Sequence, residues 1–120
     1  MKYYRIYSLD NGETRNEFLP YDLKSNDFIK GTPSFPMADM GAAKTLKVAS
    51  VPSGWDGGWH PTPLKQWCVT LSGSATMETS DKKVIELKGG VAVLLDDTFG
   101  KGHHTTVVSD DDWCSMLVAV

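Results

Sequence analysis

Residues 66–95 read QWCVTLSGSATMETSDKKVIELKGGVAVLL. Four extended runs lie in this stretch: Gln66 to Leu71, Ala75 to Thr79, Val84 to Leu87 and Val91 to Leu95. The turn formers Ser72-Gly73, Ser80-Asp81 and Lys88-Gly89-Gly90 separate them. Strands recurring about every 8–12 residues between such turns predict an all-β sandwich or barrel. Toward the C-terminus the pattern continues through Thr105 to Val108, the polar turn Ser109 to Asp112, and Trp113 to Val120. Toward the N-terminus, Tyr3 to Leu9 and Thr45 to Val51 read as strands. Between them, Pro20 to Ala43 mixes Pro, Gly, Asn and Asp with isolated aromatics and predicts an irregular arm that packs across the barrel and ends over its mouth. Only Ala38 to Lys44 is a helix candidate, and with Gly41 inside it that segment is too short to be stable alone.

A chain of 120 residues matches one domain. Residues 1–50 hold the N-terminal strands and arm, and residues 51–120 hold the core strands. Apolar residues at 41% and charged residues at 22% suit a globular core. The net charge is −3, and Arg5 and Arg15 are the only arginines, which argues against nucleic acid as a partner. The longest apolar runs, Val91 to Leu95 and Met116 to Val120, fall far short of the ~18 residues of a membrane span. Polar and aromatic residues interrupt the N-terminus, so no signal peptide is expected. Cys68 and Cys114 sit in separate apolar segments without a CxxC spacing. They predict reduced, buried thiols in a cytoplasmic protein.

The chemistry-bearing residues are His60 and Gln66 on one segment and His103 on another. The even positions His60, Thr62, Gln66, Cys68 and Thr70 share strand parity, so wherever the segment is extended they face one side, the barrel interior. Pro61 and Pro63 would disturb a central strand, so His60 to Leu64 is expected at an edge or bend. His103 and His104 are adjacent and must point to opposite faces. If alternation persists past Leu95, one of Asp96 and Asp97 also points inward, although Asp-Asp-Thr-x-Gly-Lys-Gly is equally a turn sequence. Trp55 and Trp59 sit in a Gly-rich loop beside His60, placed to fold over the mouth, whereas Trp67 points away from the ligand face and packs.

The spacing of His60, Thr62, Gln66 and Gly73 resembles the first motif of the cupin superfamily, His-x-His followed by Glu and Gly, with Thr62 and Gln66 replacing the second His and the Glu. Gly90, Thr98, Gly100 and His103 resemble the second motif, with Thr98 in place of its Pro and two extra residues before it. The resemblance covers residues 54 to 120. It implies a single-domain, cupin-like jelly-roll β-barrel with a small-molecule or metal site in its mouth, and it selects His103 over His104. It also favours Asp97 as the site residue and Asp96 as turn chemistry.

Two imidazoles and a neutral amide leave a divalent ion less well compensated than three His and a Glu would. His60, Gln66 and His103 therefore hold either Zn, Fe, Ni or Mn with open positions, or a hydrogen-bonded cluster without metal. The first functional expectation is a metal-dependent isomerase, cyclase, lyase or dioxygenase acting on a small oxygenated organic substrate. In it Asp97 and His103 move protons, and Trp59, Thr62 and Cys68 contact the ligand. The alternatives are a non-catalytic binding or sensor module and a structural dimer with a vestigial site. A homodimer is expected because small barrels leave sheet edges uncovered, with Tyr3 to Leu9 the candidate pairing strand.

Overall fold

The structure is a computed structural model describing residues 1–120. It contains twelve strands and no helix: β1 (Lys2–Ser8), β2 (Thr14–Pro20), β3 (Lys24–Asn26), β4 (Phe35–Met37), β5 (Thr45–Val51), β6 (Asp56–His60), β7 (Gln66–Ser72), β8 (Ala75–Glu78), β9 (Val84–Leu87), β10 (Ala92–Asp96), β11 (His103–Val107) and β12 (Trp113–Ala119). No helix is long and apolar enough to cross a membrane. A six-stranded sheet in the order β2-β1-β10-β7-β12-β5 faces a four-stranded sheet in the order β6-β11-β8-β9, and β3 pairs with β4 in a separate hairpin. This is the all-β jelly roll that the strand spacing and the cupin resemblance predict.

Period-2 alternation sorts the side chains. Ile6, Cys68, Val93, Leu95 and Trp113 from the large sheet meet Ala75, Met77, Ile85, Leu87 and Val107 from the small one in a single buried cluster. Trp113 satisfies its indole N–H on Thr70 Oγ1 at 3.0 Å, so the core closes over a hydrogen-bonded polar pair. On the opposite face of the large sheet Trp67 packs edge-on to Tyr3 at 5.0 Å and stacks with Tyr21, pointing away from the core as its parity requires.

The segments that differ from expectation lie mostly in the first half. β2 carries no strand period of its own, because Thr-Arg-Asn-Glu-Phe-Leu-Pro has little apolar alternation; its signal is the Asn11-Gly12 turn that returns the chain along β1. β1 itself pairs with β2 on one side and with β10 on the other, so it cannot be the strand that recruits a second copy. The free edges of the two large sheets belong to β2, β5, β6 and β9. Ala38 to Lys44 is not helical: Asp39 Oδ1 accepts the Gly41 N–H at 2.9 Å, and this local Asx turn replaces the helical bond pattern. The arm also contains the β3–β4 hairpin. It runs over the outer face of the large sheet, where Tyr21 and Met40 line a hollow with Trp67, Val69, Ala92 and Val118, rather than over the mouth. Its reach gives the chain a radius of gyration of 15.5 Å, against about 14 Å for a compact domain of this length.

Candidate functional site

The site lies at the end of the sandwich where β10 finishes and β11 begins. Strand alternation carries Val93, Leu95 and then Asp97 inward, while Asp96 faces out. Asp96 is therefore an ion-pair partner on the outer face rather than turn chemistry: Arg5 grips its Oδ2 through Nη2 at 2.7 Å and Nε at 3.2 Å. Asp97 is fully buried, at 0% exposure. His103 Nδ1–H donates to Asp97 Oδ2 at 2.7 Å, an orientation set by the carboxylate's acceptor-only character. Asp97 Oδ1 has no hydrogen-bond partner although it is buried.

His60 reaches the same place from β6, the neighbour of β11 in the small sheet. In the β6–β11 register His60 is directly opposite His103, and direct antiparallel partners share a face, which brings the ring centroids to 4.8 Å. His60 Nδ1–H donates to the Gly58 carbonyl at 3.0 Å. Both imidazoles thus spend Nδ1 on the protein and keep Nε2 for something else. The two strands approach so closely here that a Cβ on Gly102 would overlap the His60 carbonyl and Pro61 nitrogen, and Gly102 also has φ +72°.

Thr62 and Gln66 extend the cluster. Thr62 N–H donates to the Asp97 carbonyl at 3.0 Å, its hydroxyl donates to Leu64 O at 2.6 Å, and Gln66 Nε2 donates to Thr62 Oγ1 at 3.3 Å. The shared parity of His60, Thr62 and Gln66 does place all three toward the interior, but not along one strand. β6 ends at His60, the Pro61 to Lys65 loop crosses between the sheets, and Gln66 opens β7 opposite Leu95.

Two expected ligand contacts lie elsewhere. Cys68, 2% exposed, sits one inward position deeper among core residues, where burial pushes its thiol up to about 11; a packed core leaves it no ligand to touch. Trp59 pairs with His104 on the outer face of β6–β11, with ring centroids 5.7 Å apart. Of the two tryptophans expected beside His60, it is Trp55 that packs there: its indole occupies the space beside Gly57 that a side chain would fill, next to the His60 ring. Only a glycine at 57 admits that packing, and this is the signal in the sequence. His104 faces out and donates through Nε2 to Asp56 Oδ1 at 2.6 Å. The Gly58 N–H and then this bond hold the Asp56 carboxyl below the usual carboxylate range.

The donor set fits a divalent ion in part. His60 and His103 offer two Nε2 atoms, and Asp97 behind His103 is the carboxylate–imidazole pairing that orients metal-binding histidines. No third His, Cys, Asp or Glu joins them in a group able to hold an ion.

The chain is thus an all-β jelly roll with a histidine pair and a buried aspartate at one end. No protein-family model matches the sequence, and no curated protein is significantly similar to it. Among solved structures, the chain is similar to the conserved SPY1581 protein of unknown function from Streptococcus pyogenes, with 23% identity and a TM-score of 0.48. That match covers 62% of this chain and 61% of the streptococcal one. Protein NMB1881 from Neisseria meningitidis is similar at 11% identity and a TM-score of 0.48, over 62% of this chain and 72% of that one. An RmlC-like cupin protein from Desulfovibrio desulfuricans is similar at 13% identity and a TM-score of 0.44, over 80% of this chain and 95% of that one.

Proposed function

We propose that this jelly roll binds a small oxygenated organic molecule against His60 and His103 and moves a proton on it, as an isomerase, cyclase or lyase does. The observation that carries this reading is the 2.7 Å bond from His103 Nδ1 to the buried Asp97. A carboxylate fixed on Nδ1 selects the tautomer whose Nε2 is a lone-pair acceptor and stabilises the imidazolium formed when Nε2 takes a proton. His103 is thereby the general base and, after transfer, the general acid. Asp97 is a positioning residue. His60, whose Nδ1–H is given to the Gly58 carbonyl, presents Nε2 as a second acceptor that takes a hydrogen bond from a ligand hydroxyl, and Trp55 covers the ring beside it.

A divalent ion, Zn, Fe, Ni or Mn, would be held by the Nε2 atoms of His60 and His103, and when bound it supplies Lewis-acid polarisation of a ligand oxygen. Thermal-shift screening with small hydroxy and keto acids, with and without these ions, tests the reading. Compounds that stabilise the wild type are expected to lose their effect in His103→Gln and to be weakened in Asp97→Asn. Stabilisation that persists in both variants overturns it.

We also propose a homodimer built on β5. Leu46 and Val48 on this edge strand are 66% and 68% exposed. Their register partners Val118 and Met116 continue the same apolar face toward Trp67 and Val69. An unpaired seven-residue edge beside such a face suits antiparallel pairing with its own copy.

A further inference from the structure

The opposite face of the small sheet holds a cavity of about 300 Å³ lined by Trp59, Ser80, Lys82 and Lys101. These residues come from β6, the β8–β9 turn and the β10–β11 loop, so the hollow is assembled by the fold rather than by one flexible loop. Trp59 forms its apolar wall. Lys82 Nζ stands over that indole, 5.5 Å from the ring centroid. Ser80 is anchored to β2: its Oγ accepts the Thr14 N–H at 2.7 Å and its own N–H donates to Thr14 Oγ1 at 3.0 Å. Lys101 is ion-paired with Glu13 across the rim.

Lys82 adds an independent observation. It is the only non-glycine residue of the chain with positive φ, at +71°. That position in a tight hairpin favours glycine or asparagine, because a Cβ is crowded there. A lysine accepting that conformation puts an ammonium on the indole wall. A glycine would ease the backbone and leave the wall without its charge.

We infer that this cavity binds a small planar ring bearing an anionic group, a carboxylate or a phosphate. The ring takes the place over Trp59 that the Lys82 ammonium holds in the free protein, and that ammonium swings to meet the anion together with Lys101, while Ser80 shapes the floor. A volume near the lower end of ligand cavities suits a monocyclic aromatic anion. The acidic groups around it are Glu13, already paired with Lys101, Asp56, paired with His104, and Asp81, between Ser80 and Lys82 in the turn and held by Arg15 and the Thr79 hydroxyl; Glu78 lies opposite His104 in the ladder. They disfavour a polyanion and leave a single charge for the two lysines. The cavity is on the far side of β6 from His60, so it is a second site, independent of the proposed histidine site.

The test is titration of the full chain with benzoate and with phenyl phosphate, followed by the backbone and indole N–H signals of Trp59, Ser80, Lys82 and Lys101 in two-dimensional NMR. Saturable shifts confined to those residues are expected with at least one probe, and the better probe identifies the anionic group. Lys82→Gly and Trp59→Leu should each weaken binding about tenfold, the loss of one charge or one stacking contact. Lys82→Gly should do so without lowering the melting temperature, because it relieves the turn. Acetate and inorganic phosphate, which lack the ring, should bind at least about tenfold more weakly. Three results would each overturn the inference: no saturable shift with either aromatic probe, equal binding of the ringless anions, or unchanged affinity in both variants.

Discussion

Asp97 and His103 show how burial raises the stakes of a single hydrogen bond. Neither is solvated, so truncating one strands the other: Asp97→Ala leaves His103 Nδ1–H without an acceptor, and His103→Ala leaves a buried carboxylate with both oxygens unpartnered. Each variant should lose about 1–3 kcal/mol in urea denaturation. The double variant should lose less than the sum, with a coupling of about 0.5–3 kcal/mol, and strict additivity would show that the pair does not act as a unit. Cys68 gives the pH dependence at this scale. Its thiol titrates near 11 in the folded protein against an ordinary value of 9.0, so the folded state keeps a proton that the unfolded state releases. The contribution of Cys68 to stability should therefore be constant below pH 9 and fall between pH 9 and 11 by about 2–3 kcal/mol. Burial raises Tyr21 as well, with the same sign, so the Cys68 share is read as the difference between wild type and Cys68→Ala.

Among elements, the β6–β11 pair decides whether a site exists. β6 has few side chains to pack, since Asp-Gly-Gly-Trp-His offers two glycines in five residues, and β11 holds it by register and close backbone approach. Gly102 sets that approach. Gly102→Ala should cost about 3 kcal/mol or more, because positive φ and a backbone clash add. It should also separate the two imidazoles, visible as loss of mutual ring-current shifts between His60 and His103. A variant that folds with wild-type stability and retains those shifts would show that Gly102 does not set the approach of the two strands. The same pairing explains which tryptophan belongs to which site. Trp55 packs on Gly57 beside His60, whereas Trp59, one position from His60, is turned to the other face by strand alternation.

At the scale of the molecule, two sheets of unequal width leave β5 overhanging. The four-stranded sheet cannot cover all six strands facing it, so Thr45 and Lys47 are exposed on the inner face of β5, while Leu46 and Val48 are exposed on its outer face beside Val118 and Met116. If β5 pairs with its copy, light scattering at micromolar concentration should report the mass of two chains, and Leu46→Lys with Val48→Lys should give the mass of one without lowering the melting temperature. A stable interface of about 1,600 Å² would be lost by placing two charges at its centre. A wild-type monomer would remove the dimer from the proposal and leave the histidine site untouched.

The sequence by itself determined the strands of the second half, their inward and outward faces, and the absence of a lasting helix. A period of two with Gly, Asp and Ser turns is a local property, and residues such as Cys68, Val93 and Trp113 obey it wherever the strands go. Parity turned Trp67 outward, but it left open which member of Asp96–Asp97 and of His103–His104 faces inward, and it was the motif resemblance that selected Asp97 and His103. What the sequence could not decide is which distant strands meet. His60 and His103 become neighbours through a register between separate segments, His60 and Gln66 share parity yet belong to different sheets, and Cys68 proves to be core because the opposing sheet seals it. β2 and β6 were illegible for the same reason: their side chains are too polar or too small to signal a strand, and they are extended because β1 and β11 offer them unpaired backbone groups. Alternation fixes the direction of each side chain, but only tertiary pairing fixes what stands in that direction.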